Sequence, residues 1–169
     1  MIHSVLGPEQ IDIPVVIGGG IGHGRQLAAV LGMGADGVLI GTRVLVAEEV
    51  WSHADVKKQI VNSGAADSTL VMSSFRNTSR VINNEFARAV QSLELDGIED
   101  FDQYWPYVKG ANAFDAYKSG DWNKALLSMG QSAVFADSVQ PMEQIYDTLI
   151  DEAAAALERL HGLRTSKTG

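Results

Sequence analysis

Residues 13–24 read IPVVIGGGIGHG, and the fold class of the chain can be predicted from this stretch and the residues that follow it. The apolar, β-branched run 13–17 predicts a short strand buried on both faces of a sheet. A glycine-rich loop follows at 18–24, and the helix-forming run 25–31 ends at Gly32 and Gly34. Residues 38–40 then predict a second buried strand. A strand, a glycine loop, a helix and a strand in this order predict a βαβ unit and a parallel sheet.

The glycines of the first loop favour anion binding. Backbone amides can converge on an anion where no Cβ blocks the approach, and a helix N-terminus adds a favourable dipole. Gly41-Thr42 after the second strand offers further donors at the same sheet edge. Two such loops predict a phosphate site like that of a (β/α)8 barrel, although the glycines could instead serve only tight turns. The dinucleotide and Walker A motifs do not fit, because His23 and Arg25-Gln26 occupy required positions.

Composition excludes several other classes of protein. The net charge of −8 and the pI near 4.8 disfavour nucleic-acid binding, and the absence of cysteine excludes a cysteine nucleophile or a Cys-zinc module. No apolar run is long enough to span a bilayer, and the first residues lack the pattern of a signal peptide. We therefore expect a cytoplasmic protein that acts on a small molecule, without a membrane or nucleic-acid partner and without a metal.

Several stretches together resemble the nitronate monooxygenase (2-nitropropane dioxygenase) family. They are PVVIGGGIGHGR at 14–25, LGMGADGV at 31–38 and IGTR at 40–43. Further similarity lies in SFR at 74–76, RVINNEF at 80–86, GD at 120–121 and GQSA at 130–133. The glycine loops occur in other flavin barrels too, so their combination with the later segments is what indicates this family.

The resemblance implies an FMN-dependent TIM-barrel enzyme that oxidises alkyl nitronates with molecular oxygen. It implies that Gly19 and Gly20 hold the FMN phosphate through their amides, and that Gly41 and Thr42 complete the cradle. Leu39 and Ile40 would lie beside them, and the loop at 130–132 would lie near the flavin. His23 departs from the acidic residue expected there, so either a supporting contact or an ordinary loop position is open to it.

The family's catalytic histidine lies upstream of these two strands, so the catalytic residue is unknown and none is assigned. His3, His53 and His161 match no motif and are expected at the surface or at helix ends. Two strands cannot close a barrel, which typically needs about 250 residues. We therefore expect an α/β chain that forms the C-terminal part of a TIM (β/α)8 barrel with a mainly helical appended segment. It would be weakly active or inactive in isolation.

The predicted organisation has four parts. The last two βα units occupy 1–46, a mainly helical substrate-side segment 47–140, a final barrel-packing helix 141–162 and a flexible tail 163–169. Within the second part, the patterns predict helices at 54–63, 81–93 and 122–129, an extended piece at 68–72 and a solvated acidic loop at 94–102. The aromatic cluster at 104–107 is either packing beneath a loop or a binding surface.

Two other functions remain open. The chain could belong to an FMN-dependent reductase of enoyl thioesters, whose phosphate loops would look similar. It could also be a non-catalytic phosphate-binding or assembly fragment that pairs with a chain supplying the rest of the barrel. The oligomeric state and the physiological substrate are not predicted.

Overall fold

The computed structural model describes residues 13–165, and its first part is the predicted βαβ unit. Strand β1 (Val16–Gly18) and strand β2 (Gly37–Leu39) flank helix α1 (Gly24–Gly32). The strands pair in parallel, with Val16 opposite Gly37 and Gly18 opposite Leu39. A 3-10 helix (Thr42–Val46) follows β2. The parallel sheet predicted from residues 13–40 is therefore confirmed.

The prediction that both strands are buried on both faces was wrong. Val16 is 60% exposed and Leu39 is 69% exposed. Within residues 13–165, this parallel sheet holds only the β1–β2 pair. A parallel strand becomes buried only when helices and further strands cover it, so a single pair leaves its apolar side chains in solvent.

The middle of the chain surrounds a small antiparallel sheet. Helix α2 (Ala54–Val61) leads to strands β3 (Ser68–Val71) and β4 (Ser79–Ile82), which pair with Ser68 opposite Ile82. Three helices follow: α3 (Glu85–Leu95), α4 (Phe101–Val108) and α5 (Gly110–Ser119). The helix and the extended piece predicted at 54–63 and 68–72 are confirmed.

Two predictions in this part were wrong. The helix expected from 81 begins only at Glu85, because Val81 belongs to β4 and the Asn84 side chain caps the first turn through the Ala87 amide. The acidic loop predicted at 94–102 is partly helical at both ends. The Glu94 carboxylate is also bound to the protein rather than only to solvent, because it accepts hydrogen bonds from the amides of Met72 at 3.1 Å and Ser74 at 2.9 Å.

The helix predicted at 122–129 is also absent. A short 3-10 turn (Trp122–Lys124) gives way to extended chain that runs antiparallel to β4. The Ile82 amide donates to the Leu127 carbonyl at 2.9 Å. Ala125, Leu127 and Met129 are buried in alternation, which is the period of a strand. Such a period is incompatible with a helix that buries one face, so tertiary pairing prevails over helix propensity here.

Helix α6 (Met142–Thr165) closes the chain and packs on α1. Ile145, Leu149 and Ala153 of the predicted apolar stripe are buried, whereas Leu157 and Leu160 are 54% and 52% exposed. The helix continues past Gly162, where it was predicted to end, so the expected tail begins inside the helix. Residues 166–169, and His3 near the other end, lie outside the described residues. None of the described helices is both long enough and apolar enough to cross a bilayer.

Two larger cores hold the middle of the chain. One lies between α2, β4 and the segment 125–136, and it includes Val56, Ile60 and Leu127. The other lies between the β3–β4 hairpin, α3 and α4, around the buried Tyr104. Tyr104 donates a hydrogen bond to the Ile98 carbonyl at 2.8 Å. The predicted aromatic cluster lies within α4, where Tyr104 and Tyr107 pack in or against this core and Trp105 is 55% exposed.

Candidate functional site

A cleft of about 670 Å³ opens where the loop after β1, the chain after β2 and the segment 128–132 meet. Five of the six residues that the sequence analysis proposed for the site line this cleft, and they are Gly19, Gly20, Leu39, Gly41 and Thr42. The sixth, Ile40, packs against the core formed by Ala47, Ile145 and Leu149 instead. The other lining residues are Ile21, Leu45, Arg80, Tyr117, Ser128, Met129, Gly130, Gln131 and Ser132.

The glycines of the first loop have two different roles. Gly19 and Gly20 adopt left-handed backbone angles, with φ of +99° and +72°, and a Cβ on either would meet no atom within 4 Å. A Cβ on Gly22 would lie 2.8 Å from the Phe135 ring, and one on Gly24 would overlap the Leu149 carbonyl oxygen. Gly19 and Gly20 therefore border open space, whereas Gly22 and Gly24 allow close packing.

The N-terminus of α1 is already capped by side chains. Gln26 Oε1 accepts hydrogen bonds from the amides of Gly22 at 2.9 Å and His23 at 3.1 Å. Glu152 Oε2 on α6 accepts one from the Gly24 amide at 2.7 Å. The amides of Gly22, His23 and Gly24 therefore already have acceptors, and none of these three residues is among those predicted to hold the phosphate. Among residues 13–165, no turn, cap or side-chain bond occupies the amides of Gly20, Gly41 or Thr42.

Thr42 and Arg43 join the two sides of the cleft. The buried Thr42 hydroxyl oxygen accepts a hydrogen bond from the Gly130 amide at 2.8 Å. Arg43 is also buried, and its Nη1 donates to the carbonyl oxygens of Gly22, at 3.1 Å, and Phe135. These bonds hold the segment 130–135 against the glycine loop, so consecutive residues after β2 determine the width of the cleft.

The opposite wall contributes Arg80 from β4 and Tyr117 from α5. One nitrogen of the Arg80 guanidinium, Nη1, donates to Ser68 Oγ at 3.1 Å and to the Ser68 carbonyl at 3.4 Å. Burial raises the pKa of the Tyr117 hydroxyl above its ordinary value of 10.0, so it remains protonated at neutral pH. The Tyr117 ring meets Trp51 edge-on. This wall therefore offers one fixed cation and one hydroxyl donor.

The described histidines lie outside the cleft. His23 caps α1, accepts a hydrogen bond from the Arg25 amide and lies 3.0 Å from the Glu152 carboxylate. His53 caps α2, as expected for a helix-end histidine, and His161 is exposed on α6. No group of three or more acidic or histidine side chains within residues 13–165 could hold a metal ion.

The fold and the cleft are those of an α/β protein with glycine loops at the edge of a parallel sheet. A profile of the nitronate monooxygenase family matches residues 3–152, and the chain belongs to that family.

Individual relatives agree with this assignment. The chain is 28% identical to a nitronate monooxygenase of Neurospora crassa, covering 90% of this chain and 41% of that protein. It is 26% identical to a 5-hydroxy-7a-methyl-1-oxo-octahydro-1H-indene-4-carboxyl-CoA dehydrogenase of Rhodococcus jostii, covering 97% of this chain and 56% of that protein. The structure of FabK from Thermotoga maritima superposes with a TM-score of 0.85 at 28% identity, covering 96% of this chain and 50% of that one. The chain thus spans about half the length of the relatives it matches.

Arg80 and Tyr117 are site residues that the sequence does not predict. Both come from the middle segment, and nothing in the local pattern shows that β4 and α5 reach the cleft. The loop at 130–132 was expected near the cofactor from the resemblance alone, and it does line the cleft. No local signal announces the extended chain before this loop, because residues 125–129 read ALLSM and alternate only in their burial in the folded chain.

Proposed function

We propose that this chain forms the phosphate-binding side of an FMN-dependent oxidoreductase that oxidises alkyl nitronates with molecular oxygen. The observation that supports this most directly is the open space in front of Gly19, Gly20 and Gly41, where an added Cβ would meet no protein atom. Membership of the nitronate monooxygenase family supports the same proposal. The flavin would supply the redox chemistry, while the protein supplies binding and orientation.

The residues present fit a phosphoester. The amides of Gly20, Gly41 and Thr42 have no acceptor within residues 13–165, and the backbone at Gly20 and Gly41 borders open space. Gly19 contributes the left-handed backbone turn that opens the loop toward the cleft. The Thr42 hydroxyl accepts from Gly130, so its own proton is available to donate to an anion. Leu39 offers an apolar surface beside these donors.

The other wall would orient the reacting part of the ligand. Tyr117 stays protonated at neutral pH and can donate a hydrogen bond to an oxygen atom in the cleft. Gln131 and Ser132 add neutral polar groups. No group within residues 13–165 is assigned as the catalytic base, and the activity of the whole protein is part of the proposal.

We further propose that the exposed faces of β1, β2 and α6 contact the remaining strands of a barrel, supplied by other residues of the same protein or by a second chain. Val16, Leu39 and Leu157 expose apolar side chains on these elements. Covering them would convert the β1–β2 pair into the buried parallel sheet that its sequence predicts.

The proposed cradle can be tested by replacing Gly41 with valine. A Cβ there meets no protein atom, so we expect the variant to fold, while its branched side chain occupies the space in front of the amides. FMN affinity should fall at least tenfold by fluorescence titration, and riboflavin affinity should change little. Gly32→Val is the matched control, since Gly32 also has no neighbour within 4 Å and lies outside the cleft. Equal FMN binding by the Gly41 variant and the parent protein would refute the cradle.

Reduction of an enoyl thioester is the second candidate. It is favoured by the likeness to a carboxyl-CoA dehydrogenase, whose name indicates redox chemistry on a thioester. The two activities separate in a simple assay of the flavin-loaded protein. Oxygen consumption with an alkyl nitronate supports the first, and oxidation of a reduced nicotinamide in the presence of an enoyl thioester supports the second. Copurification with a chain of complementary strands, without either activity, would favour a non-catalytic assembly role.

A further inference from the structure

Among residues 13–165, Arg80 is the one charged side chain that lines the cleft. The chain contains 21 acidic residues and has a net charge of −8, yet no carboxylate lines the cleft in the described part of the molecule. A single cation in a cleft of neutral groups, on an acidic protein, creates a local preference for anions that the overall charge opposes.

The position of the Arg80 guanidinium is fixed on one side only. Nη1 donates to the hydroxyl and carbonyl oxygens of Ser68, which is itself buried. The ion pairs found within residues 13–165 do not include Arg80. The Nη2 and Nε groups are not used by the bonds to Ser68, so a planar pair of donors remains for a ligand.

The chemistry of that donor pair selects the ligand class. Guanidinium groups bind oxyanions with two parallel hydrogen bonds, a geometry that phosphates and planar O–X–O groups share. The free amides of Gly20 and Gly41 border the same cleft. The cleft therefore has a cation on one wall and amide donors on the other, and no described carboxylate lies between them. This arrangement suits an anionic ligand.

We infer that Arg80 is the charged anchor of the cleft and binds an oxyanion of the ligand, either the flavin phosphoester or the nitronate group of the substrate. The inference rests on the proposed function for the identity of these ligands. The oxyanion chemistry itself rests on the residues of the cleft.

The test compares Arg80→Met with Arg80→Lys and with Arg88→Met as the matched control. Arg88 is exposed on α3 and lies outside the cleft. Melting curves establish that each variant folds, and titrations then measure the affinities for FMN, riboflavin and an alkyl nitronate. If the phosphoester is the ligand group, Arg80→Met should weaken FMN binding at least tenfold and leave riboflavin binding unchanged. If the nitronate is the ligand group, both flavins should bind normally, and nitronate affinity in the flavin-loaded variant should fall at least tenfold.

Arg80→Lys should recover part of the lost affinity, since lysine keeps the charge but lacks the planar fork. Unchanged binding of all ligands by Arg80→Met would overturn the inference. An equal loss for FMN, riboflavin and nitronate would also overturn it, because this is the pattern of a merely structural arginine.

Inorganic phosphate separates this inference from the proposed function. One outcome is that the parent protein binds phosphate and Arg80→Met does not, while the parent protein binds FMN no more tightly than phosphate. The flavin proposal would then fail while the oxyanion anchor stands. Conversely, tight FMN binding that does not depend on Arg80, together with Arg80-independent nitronate binding, would leave the flavin proposal intact and remove Arg80 from the site.

Discussion

The two small sheets of this protein differ in how their apolar side chains are covered. The antiparallel pair β3–β4 has a closed core, with Val71 at 0% exposure and Ile82 at 1%. The parallel pair β1–β2 leaves Val16 and Leu39 more than half exposed. An antiparallel hairpin finds its covering helices nearby in sequence, whereas a parallel pair depends on crossovers and further strands. The hairpin is therefore stabilised by its own chain segment, and the parallel pair presents the cleft and an uncovered surface.

The largest expected effect comes from truncating a core side chain of the hairpin itself. Ile82→Ala should lower the free energy of unfolding by about 2–5 kcal/mol, because it leaves a cavity in a packed core. Leu39→Ala is the counterpart in the parallel pair and should change it by less than about 0.5 kcal/mol, since Leu39 is 69% exposed. Urea denaturation of both variants measures the difference. Similar losses at the two sites would show that β1–β2 is covered in solution.

The next effect distinguishes the two kinds of glycine at the parallel pair. Gly24→Ala should cost about 2–3 kcal/mol, because its Cβ would overlap the backbone of α6 and force the two helices apart. Gly41→Ala should be close to neutral in stability, because its Cβ meets no protein atom. Thermal melts of both variants test this pair. Equal melting temperatures for the two variants would contradict the conclusion that Gly41 borders open space while Gly24 allows close packing.

A smaller effect concerns the turn of the hairpin. Glu94→Ala should destabilise the protein by about 1–2 kcal/mol, since it leaves the Met72 and Ser74 amides without their acceptor. Met72 has a φ of +65°, so the carboxylate holds a conformation that a methionine rarely adopts. Hydrogen exchange of the 72–78 amides should accelerate while that of α1 does not. Uniform acceleration would indicate that the hairpin and the parallel pair unfold together.

The smallest effect is the pH dependence that arises from Tyr117 beside the cleft. Burial raises the pKa of its hydroxyl above 10.0, so the folded state retains a proton that the unfolded chain releases. This contribution to stability is complete below pH 10.0 and is lost as the pH rises through the higher folded pKa. As the pH rises from about 9 to about 11, the stability of Tyr117→Phe should therefore fall less than that of the parent protein. A steeper loss for the phenylalanine variant in urea titrations would contradict this assignment.

Much of the site could be predicted from local sequence. The glycine loop, the parallel pair and the Gly41-Thr42 turn follow from short runs of residues, because strand and loop patterns there do not depend on distant contacts. The extended chain at 125–129 was mistaken for a helix, although its buried residues alternate. Local propensity favours a helix for this run of alanine and leucine, and only pairing with β4 makes the strand more favourable. The place of Arg80 in the cleft could not be predicted for a related reason, because it depends on that pairing.

The βαβ unit, the position of its glycine loops and the family of the chain follow from the amino-acid sequence alone. Which glycines border open space and which accommodate α6 depends on tertiary packing. That distinction depends on the distance from each glycine to α6, a helix more than a hundred residues away in sequence. Glu152 of this helix accepts a hydrogen bond from the Gly24 amide. The tertiary structure also brought Arg80 and Tyr117 to the cleft. Backbone conformation is encoded over a few residues, whereas the space around a residue is determined by whatever packs against it.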